Sequence, residues 1–190
     1  MSADRVRLFF ALWPPDDVRR ALWAAAEPVR EACRGRPVAR RNLHLTLLFL
    51  GGVEPSRADA VRQAAAGLHY PPFTLVFDAW GRFDRARVAW LGCRHPDPGA
   101  GALAAGLAAA MEALGFVPER RPFRPHLTVA RKCRQGSPGE PGPHLLSPVR
   151  WPVAEFALVR SLTLPAGPVY EVVEHWPLAA GAGTREDESG

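Results

Sequence analysis

Two copies of one short pattern place a histidine and a threonine two positions apart within an apolar run. They are His44-Leu45-Thr46-Leu47 and His126-Leu127-Thr128-Val129. Side chains alternate faces along a β-strand, so the histidine and threonine of each copy share one face and the apolar pair takes the other. An imidazole titrates near neutral pH, and two of them in one cleft can act as general acid and general base. The sequence therefore predicts a shared proton-transfer site.

Chance does not account for the repetition. Random placement of the six histidines of this chain among its other residues gives roughly 0.03 copies of the pattern, and two occur. The sequence contains no zinc-binding spacing of the HExxH or CxxC kind, and two histidines with two threonines are a poor ligand set for tetrahedral zinc. A glycine-rich phosphate loop is also absent, which argues against a ligase driven by ATP.

Positive charge flanks both histidines in a chain whose net charge is +5. Three arginines precede the first motif, and a stretch around the second carries six basic residues against Glu119. The basic residues are Arg36, Arg40, Arg41, Arg120, Arg121, Arg124, Arg131, Lys132 and Arg134. Guanidinium groups pair well with phosphate oxygens, and a basic surface attracts polyanions. This pattern favours a phosphate or nucleic-acid ligand, with a solvated basic face as the plain alternative.

Length and composition indicate one globular domain of 190 residues, or two small halves that share a core. No apolar run approaches the ~20 residues of a membrane span, and the N-terminus lacks the apolar region of a signal peptide. The three cysteines, Cys33, Cys93 and Cys133, are widely spaced and odd in number. We therefore expect reduced thiols and a cytoplasmic protein without a membrane partner.

Helix and strand patterns recur around each motif. A strand at Val6–Leu12 precedes a helix from Asp16 to about Cys33, which Pro28 kinks or splits. Segments Phe73–Trp80 and Arg87–Cys93 read as a hairpin. We predict an α+β fold built as a bilobal, duplicated unit, in which two antiparallel-rich sheets face each other across a central groove with helices outside. Residues 1–180 form this domain, residues 134–148 a mobile loop, and residues 181–190 a disordered tail.

With its two His-x-Thr motifs, the sequence resembles the 2H phosphoesterase superfamily. Within that superfamily it resembles the bacterial and archaeal RNA 2′,3′-cyclic phosphodiesterases, also called 2′-5′ RNA ligases. The resemblance spans about residues 6–178. It rests on both motifs with their flanks and on three further strands, namely residues 7–12, 42–51, 121–131, 158–161 and 176–178. It implies a pseudo-twofold fold with the active site in the groove between the lobes. It also implies chemistry that needs neither a metal nor a cofactor.

The resemblance also assigns roles to the motif residues. His44 is the proton donor to the departing 3′ oxygen, and His126 is the proton acceptor that activates water. The direction of this assignment comes from the resemblance, since the two motifs are alike. Thr46 and Thr128 share the faces of their histidines and can donate hydroxyl hydrogen bonds to phosphate oxygens.

Four other residues are candidates for substrate binding. Arg131 stands where the family carries a basic residue. In a regular strand it would point away from His126, so a bulge or strand end after Thr128 is required to redirect it. Phe9, Phe49 and Phe123 are candidates for base stacking, with core packing as the alternative.

The implied activity is hydrolysis of RNA 2′,3′-cyclic phosphate ends, or of cyclic nucleotides, to 2′-phosphates, with reversible 2′-5′ RNA ligation as the same transfer run backwards. No obligate protein partner is expected. Two alternatives stay open at this point. One is a non-catalytic RNA-binding module, and the other is a phosphodiesterase acting on 2′-5′ oligoadenylate or ADP-ribose cyclic phosphate.

Overall fold

The computed structural model describes residues 5–119, 121–134, 147–164 and 167–179. Within these ranges the helices are α1 Asp16–Ala25, α2 Glu27–Cys33, α3 Ala58–Ala66 and α4 Pro98–Ala113, and there are two short 3₁₀ turns, Arg40–Asn42 and Pro55–Arg57. The long helix expected from Asp16 is thus split, and Pro28 lies in the first turn of α2, where a missing N–H is tolerated. Most of the predicted loop and the whole predicted tail lie outside the described residues.

The strands form one large and one small sheet. They are β1 Val6–Leu12, β2 Arg36–Pro37, β3 Leu45–Val53, β4 Phe73–Phe77, β5 Ala79–Phe83, β6 Val88–Gly92, β7 His126–Arg131, β8 Val149–Val153, β9 Glu155–Leu164 and β10 Gly167–Pro177. The large sheet has the order β10-β9-β1-β3-β7-β6-β5, with β2 beside β7, and β4 pairs with β8. Each of these pairings is antiparallel. The predicted α+β class with antiparallel sheets is confirmed.

A single residue pair joins the two halves of the large sheet. Leu45 of β3 lies opposite Leu127 of β7, and these are the central residues of the two motifs. Strands β10, β9 and β1 extend from β3 on one side, and β6 and β5 extend from β7 on the other. The two sheets expected from the sequence are therefore the halves of one sheet, and each half brings one motif strand to the joint.

The main core lies on one face of this sheet. All four helices and the β4–β8 sheet contribute to it, packing against the buried residues Leu45, Leu47, Leu127 and Val129 of the motif strands. A smaller apolar cluster, formed by Phe9, Ala11, Ala157 and Val159, is separate from that core. The main core fixes the orientation of β3 and β7 through their apolar side chains, which leaves the polar side chains of both motifs on the opposite face.

The predicted hairpin of Phe73–Trp80 with Arg87–Cys93 is wrong in its first strand. β6 does turn back on a neighbour, but that neighbour is β5, with Phe83 opposite Val88. β4 instead pairs with β8, which lies more than 70 positions further along the chain. The break comes at Asp78, whose carboxylate accepts hydrogen bonds from the backbone N–H and side chain of Arg94.

The prediction of three reduced thiols is also wrong, because Cys33 and Cys133 form a disulfide. They are 100 positions apart, so their spacing gave no sign of pairing. β2 follows α2 directly and pairs with the end of β7, and this brings the two cysteines together. Cys93 is the free cysteine of the described residues, and burial raises the pKa of its thiol to about 11. No helix in the described ranges has the length and apolar character of a membrane span.

Candidate active site

The motif side chains follow the predicted alternation. His44, Thr46, His126 and Thr128 are each partly exposed, whereas the apolar residues between them are buried in the main core. The two histidines and the two threonines therefore project from the same face of the sheet, away from the helices.

The joint between the half-sheets places the two motif histidines diagonally across from each other. With Leu45 opposite Leu127, the antiparallel register sets His44 across from Thr128 and Thr46 across from His126. Diagonal neighbours in such a pair lie about 7–8 Å apart, and strands that diverge from a single pair lie further apart. That spacing lets a phosphate group fit between two imidazoles.

Both imidazoles are tethered in the same way. Nδ1 of His44 lies 2.7 Å from the carbonyl oxygen of Asn42, and Nδ1 of His126 lies 2.7 Å from the carbonyl oxygen of Arg124. A carbonyl oxygen only accepts, so each Nδ1 carries a proton and donates it. Each Nε2 is then the nitrogen that can take up or release a proton.

Asn42 also anchors the segment that leads into the first motif. Its side chain is buried, the one buried polar side chain in the described part of the chain, and Nδ2 donates a 2.9 Å hydrogen bond to the carbonyl oxygen of Pro168 in β10. This contact fixes the backbone whose carbonyl oxygen holds His44.

Aromatic rings surround the two histidines unequally. Phe9, Trp13 and Tyr170 lie around His44, with ring centroids 5.0, 5.6 and 5.1 Å away. Phe83 and Trp90 lie 5.1 and 6.5 Å from His126, both edge-on. The His44 imidazole is therefore the more enclosed of the two.

This enclosure lowers the pKa of His44 to about 4. Removal from water is the largest cause, because it disfavours the charged imidazolium. The hydrogen bond to the Asn42 carbonyl opposes this shift, while the positive charges of Arg131 and His126 add to it. His44 is thus neutral at pH 7 in the ligand-free protein, and Arg131 and His126 lie close enough for their charges to lower its pKa.

A β-bulge brings Arg131 to the motif face. Trp90 lies opposite Thr128 and Ala89 lies opposite Ala130, so Val129 is an extra residue in β7. Val129 and Ala130 are consequently both buried, and the alternation resumes with Arg131 exposed. The bulge that the family assignment of Arg131 required is present in the structure.

The same irregularity occurs at the matching place in β3. Ala11 lies opposite Thr46 and Phe10 opposite Leu48, which makes Leu47 the extra residue. Phe49 thereby corresponds to Arg131, since each lies five positions after its motif histidine. The repeat thus presents an aromatic ring from one half and a guanidinium group from the other.

The three candidate stacking residues differ in placement. Phe49 is 60% exposed and its ring lies 5.5 Å from that of Phe9. Phe9 is buried in the smaller apolar cluster and contacts the ring of His44. Phe123 packs against the main core instead. Of the three, Phe49 is the most exposed.

Sequence reasoning missed four rings that contact the motif histidines, namely Trp13, Phe83, Trp90 and Tyr170. The alternation of Phe9, Ala11 and Trp13 could have indicated Trp13, since these residues share a face. The others lie on strands whose partners the sequence did not reveal. The described residues contain no group of three or more histidine, cysteine or acidic side chains able to hold a metal.

The chain is similar to proteins of known family along most of its length. The sequence profile of the 2′-5′ RNA ligase superfamily matches residues 14–163. An RNA 2′,3′-cyclic phosphodiesterase of Escherichia coli K12 is 37% identical, with 90% of this chain and 96% of the relative covered. Another, from Thermus thermophilus, is 36% identical over 97% and 96% of the two chains. The crystal structure of E. coli LigT in apo form superposes with a TM-score of 0.80 at 36% identity, covering 93% and 99%.

Proposed function

Because the chain belongs to the 2′-5′ RNA ligase superfamily, we propose that it is an RNA 2′,3′-cyclic phosphodiesterase, a hydrolase. It opens the 2′,3′-cyclic phosphate end of an RNA, or a cyclic nucleotide, to a 2′-phosphate. One observation carries this proposal. Two imidazoles, each tethered through Nδ1 to a backbone carbonyl, flank the single pair that joins the half-sheets, each with Nε2 available for proton transfer.

The proton transfers follow from this placement. Nε2 of His126 takes a proton from water as the water oxygen forms its bond to phosphorus. The bond from phosphorus to the 3′ oxygen breaks, and Nε2 of His44 donates its proton to that oxygen. Attack and departure occur on opposite sides of phosphorus, which suits two groups placed diagonally across a joint. The step leaves His44 neutral and His126 protonated, and proton exchange with solvent restores the starting state.

The low pKa of His44 makes its proton depend on the substrate. A cyclic phosphodiester carries one negative charge, and a negative charge close to an imidazole favours its protonated form. In the free protein, the positive charge of Arg131 lowers the pKa of His44. A bound phosphate offsets that charge and so removes part of this effect. Substrate binding therefore favours protonation of His44, the proposed proton donor. The assignment of His44 as donor and His126 as acceptor is the one that the family resemblance implies.

The remaining site residues bind the phosphate and the base. Thr46 and Thr128 donate hydroxyl hydrogen bonds to the phosphate oxygens, and Arg131 neutralises the charge that develops on them. Phe49, supported by Phe9, is the stacking surface for the terminal base. Phe123 is half-buried against the main core and stays a candidate for base stacking.

The proposal also covers cofactors, location and partners. The reaction needs no metal or cofactor, since acid, base and cation all come from side chains. The protein acts in the cytoplasm on RNA ends without an obligate protein partner. If the 5′ hydroxyl of a second RNA takes the place of water in the same ring opening, its oxygen bonds to phosphorus, the 3′ oxygen leaves with a proton, and a 2′-5′ bond forms.

Product analysis in EDTA tests this function. An RNA oligonucleotide with a 2′,3′-cyclic phosphate end is incubated with the wild type, His44→Ala and His126→Ala, and with His69→Ala as an exposed control. We expect the wild type and the control alone to form a 2′-phosphate end. Binding without turnover by the wild type would support an RNA-binding module, and turnover of 2′-5′ oligoadenylate or ADP-ribose cyclic phosphate alone would support the other alternative.

A further inference from the structure

The two halves differ in the residue that lies beside each motif histidine on the neighbouring strand. Leu12 pairs with Leu45 in one half, and Leu91 pairs with Leu127 in the other. One position further along, Gly92 lies opposite His126. The corresponding residue beside His44 is Trp13. The position beside His44 is therefore a tryptophan, whereas the position beside His126 is a glycine.

Trp13 makes a contact with His44 that has no equivalent at His126 among the described residues. The two rings are nearly parallel, with planes 14° apart and centroids 5.6 Å apart, as in an offset stack. The described ring contacts of His126 are edge-on, at 89° with Phe83 and 65° with Trp90. Stacking thus distinguishes the two imidazoles, although their Nδ1 tethers are the same.

Arg19 holds Trp13 in place at the start of α1. Its guanidinium carbon lies 5.6 Å from the indole centroid, within the range of a cation–π contact. Nη2 of Arg19 donates a 2.6 Å hydrogen bond to the carbonyl oxygen of Pro14, and Nη1 pairs with Asp16. The residue after Trp13 is therefore tied to the helix, which restricts the indole.

We propose, on the basis of the proposed function, that Trp13 is a positioning residue that fixes the plane of the His44 imidazole, shields one of its faces from water, and so separates its role from that of His126. The indole acts only through His44 and touches none of the reacting atoms. It makes two similar motifs chemically unequal.

The charged and titratable groups that face His44 stay the same when Trp13 is changed. These are Arg131 and His126 of β7 and the phenol of Tyr170 of β10. An indole face has two opposite effects on a neighbouring imidazole: exclusion of water disfavours the charged form, and the ring quadrupole favours it. Because the pKa of His44 lies at about 4, exclusion of water dominates in the free protein.

Histidine titration by NMR tests this proposal without any substrate. The His44 signal is assigned with His44→Gln and followed in the wild type, Trp13→Leu and Trp13→Phe. Trp23→Leu is the matched control, because Trp23 is also half-buried and also packs against an arginine, Arg30. We expect Trp13→Leu to raise the pKa of His44 by about one unit, the usual spread among folded proteins. Trp13→Phe should raise it less, and Trp23→Leu should leave it in place.

An unchanged or lowered pKa of His44 in folded Trp13→Leu would overturn the proposal, as would an equal rise in Trp23→Leu. If Trp13→Leu does not fold, the comparison of Trp13→Phe with the wild type decides in the same way. Steady-state kinetics give a second readout. We expect Trp13→Leu to lower kcat while KM changes little, with recovery in Trp13→Phe. Since the titration needs no turnover, its outcome is independent of whether the proposed substrate is correct.

Discussion

At the scale of single residues, His44 and His126 share a motif and a tether but not an environment. Three aromatic rings enclose His44, and its pKa lies at about 4, below the ordinary value of about 6.5. A proton on His44 therefore has to be stabilised by a bound anion. In the proposed mechanism, this requirement couples proton donation by His44 to phosphate binding.

His44 should make the folded protein sensitive to acid. Between its folded pKa of about 4 and the unfolded value of about 6.5, the unfolded chain binds a proton that the folded chain does not. The free energy of unfolding therefore falls as the pH falls through this window. We expect His44→Gln to lose less stability than the wild type between about pH 7 and pH 4.5, the window set by this linkage, as measured by urea unfolding.

His69→Gln is the control for this measurement. His69 is exposed, and its Nδ1 also approaches the carbonyl oxygen two positions earlier, that of Gly67, at 3.1 Å. Its replacement should leave the acid sensitivity of the wild type unchanged. Equal losses in His44→Gln and the wild type would contradict a buried, neutral His44.

Arg131→Ala should weaken catalysis and raise the pKa of His44. A hydrogen bond to a charged group is worth about 1.5–3 kcal/mol, which is roughly tenfold to a hundredfold in kcat/KM. The Arg131 charge also lowers the pKa of His44, so its removal shifts the titration upward. Arg150→Ala, exposed on β8 of the small sheet, is the control. Full activity in Arg131→Ala would remove Arg131 from the phosphate site.

At the scale of elements, alternation along β3 and β7 follows from the local sequence, and it predicted the face that His44 and His126 share. The β-bulges in these two strands do not follow from the local sequence. The bulge at Val129 is defined by the partner strand β6, and the bulge at Leu47 by β1. Because pairing is non-local, the sequence could state only that Arg131 required a bulge.

Gly81→Ala should impair the His126 side of the site. A Cβ at Gly81 would lie 2.1 Å from the Trp90 ring, so the indole that contacts His126 has to move. We expect kcat/KM to fall by about tenfold, the effect of some 1.4 kcal/mol. Gly101→Ala in α4 is the matched control, since a Cβ there meets nothing within 4 Å. A Gly81→Ala enzyme as active as Gly101→Ala would contradict a role for the Trp90 contact.

The disulfide ties the end of α2 to the segment just after β7. It closes a loop of 100 residues, which corresponds to about 4.7 kcal/mol in the chain-entropy model. We expect Cys133→Ser to lower the free energy of unfolding by up to about that amount, measured by denaturant titration under non-reducing conditions. Cys93→Ser, at the free cysteine, should change stability far less. Equal stability of Cys133→Ser and the wild type would show that this bond does not restrict the unfolded chain.

At the scale of the whole molecule, the sequence predicted what is local or repeated: the α+β class, the motif strands and their shared face. It did not predict contacts between distant segments. The pairing of β4 with β8, the bond between Cys33 and Cys133 and the approach of Tyr170 to His44 all depend on the final arrangement of the strands. Hydrophobic alternation marks a strand but does not identify its neighbour.

The fold thus brings two similar halves together at Leu45 and Leu127 and makes them unequal where they meet. The half that contains His44 carries Trp13, Phe9 and Phe49. The half that contains His126 carries Phe83, Trp90 and Arg131. Under the proposed function, this inequality orients an RNA end, with its base toward Phe49 and its phosphate at the joint. In the proposed mechanism, it also separates the proton donor from the proton acceptor.

A sulfur-substituted substrate tests this division of labour most directly. In an RNA 2′,3′-cyclic phosphate with sulfur in place of the 3′ oxygen, the leaving thiolate needs no proton, because thiols have a pKa of about 8.5. On the oxygen substrate, His44→Ala and His126→Ala should each lose about 10²–10⁴-fold in kcat/KM. On the sulfur substrate we predict that His44→Ala approaches the wild-type rate while His126→Ala stays slow. An equal deficit of His44→Ala on both substrates would contradict His44 as the proton donor.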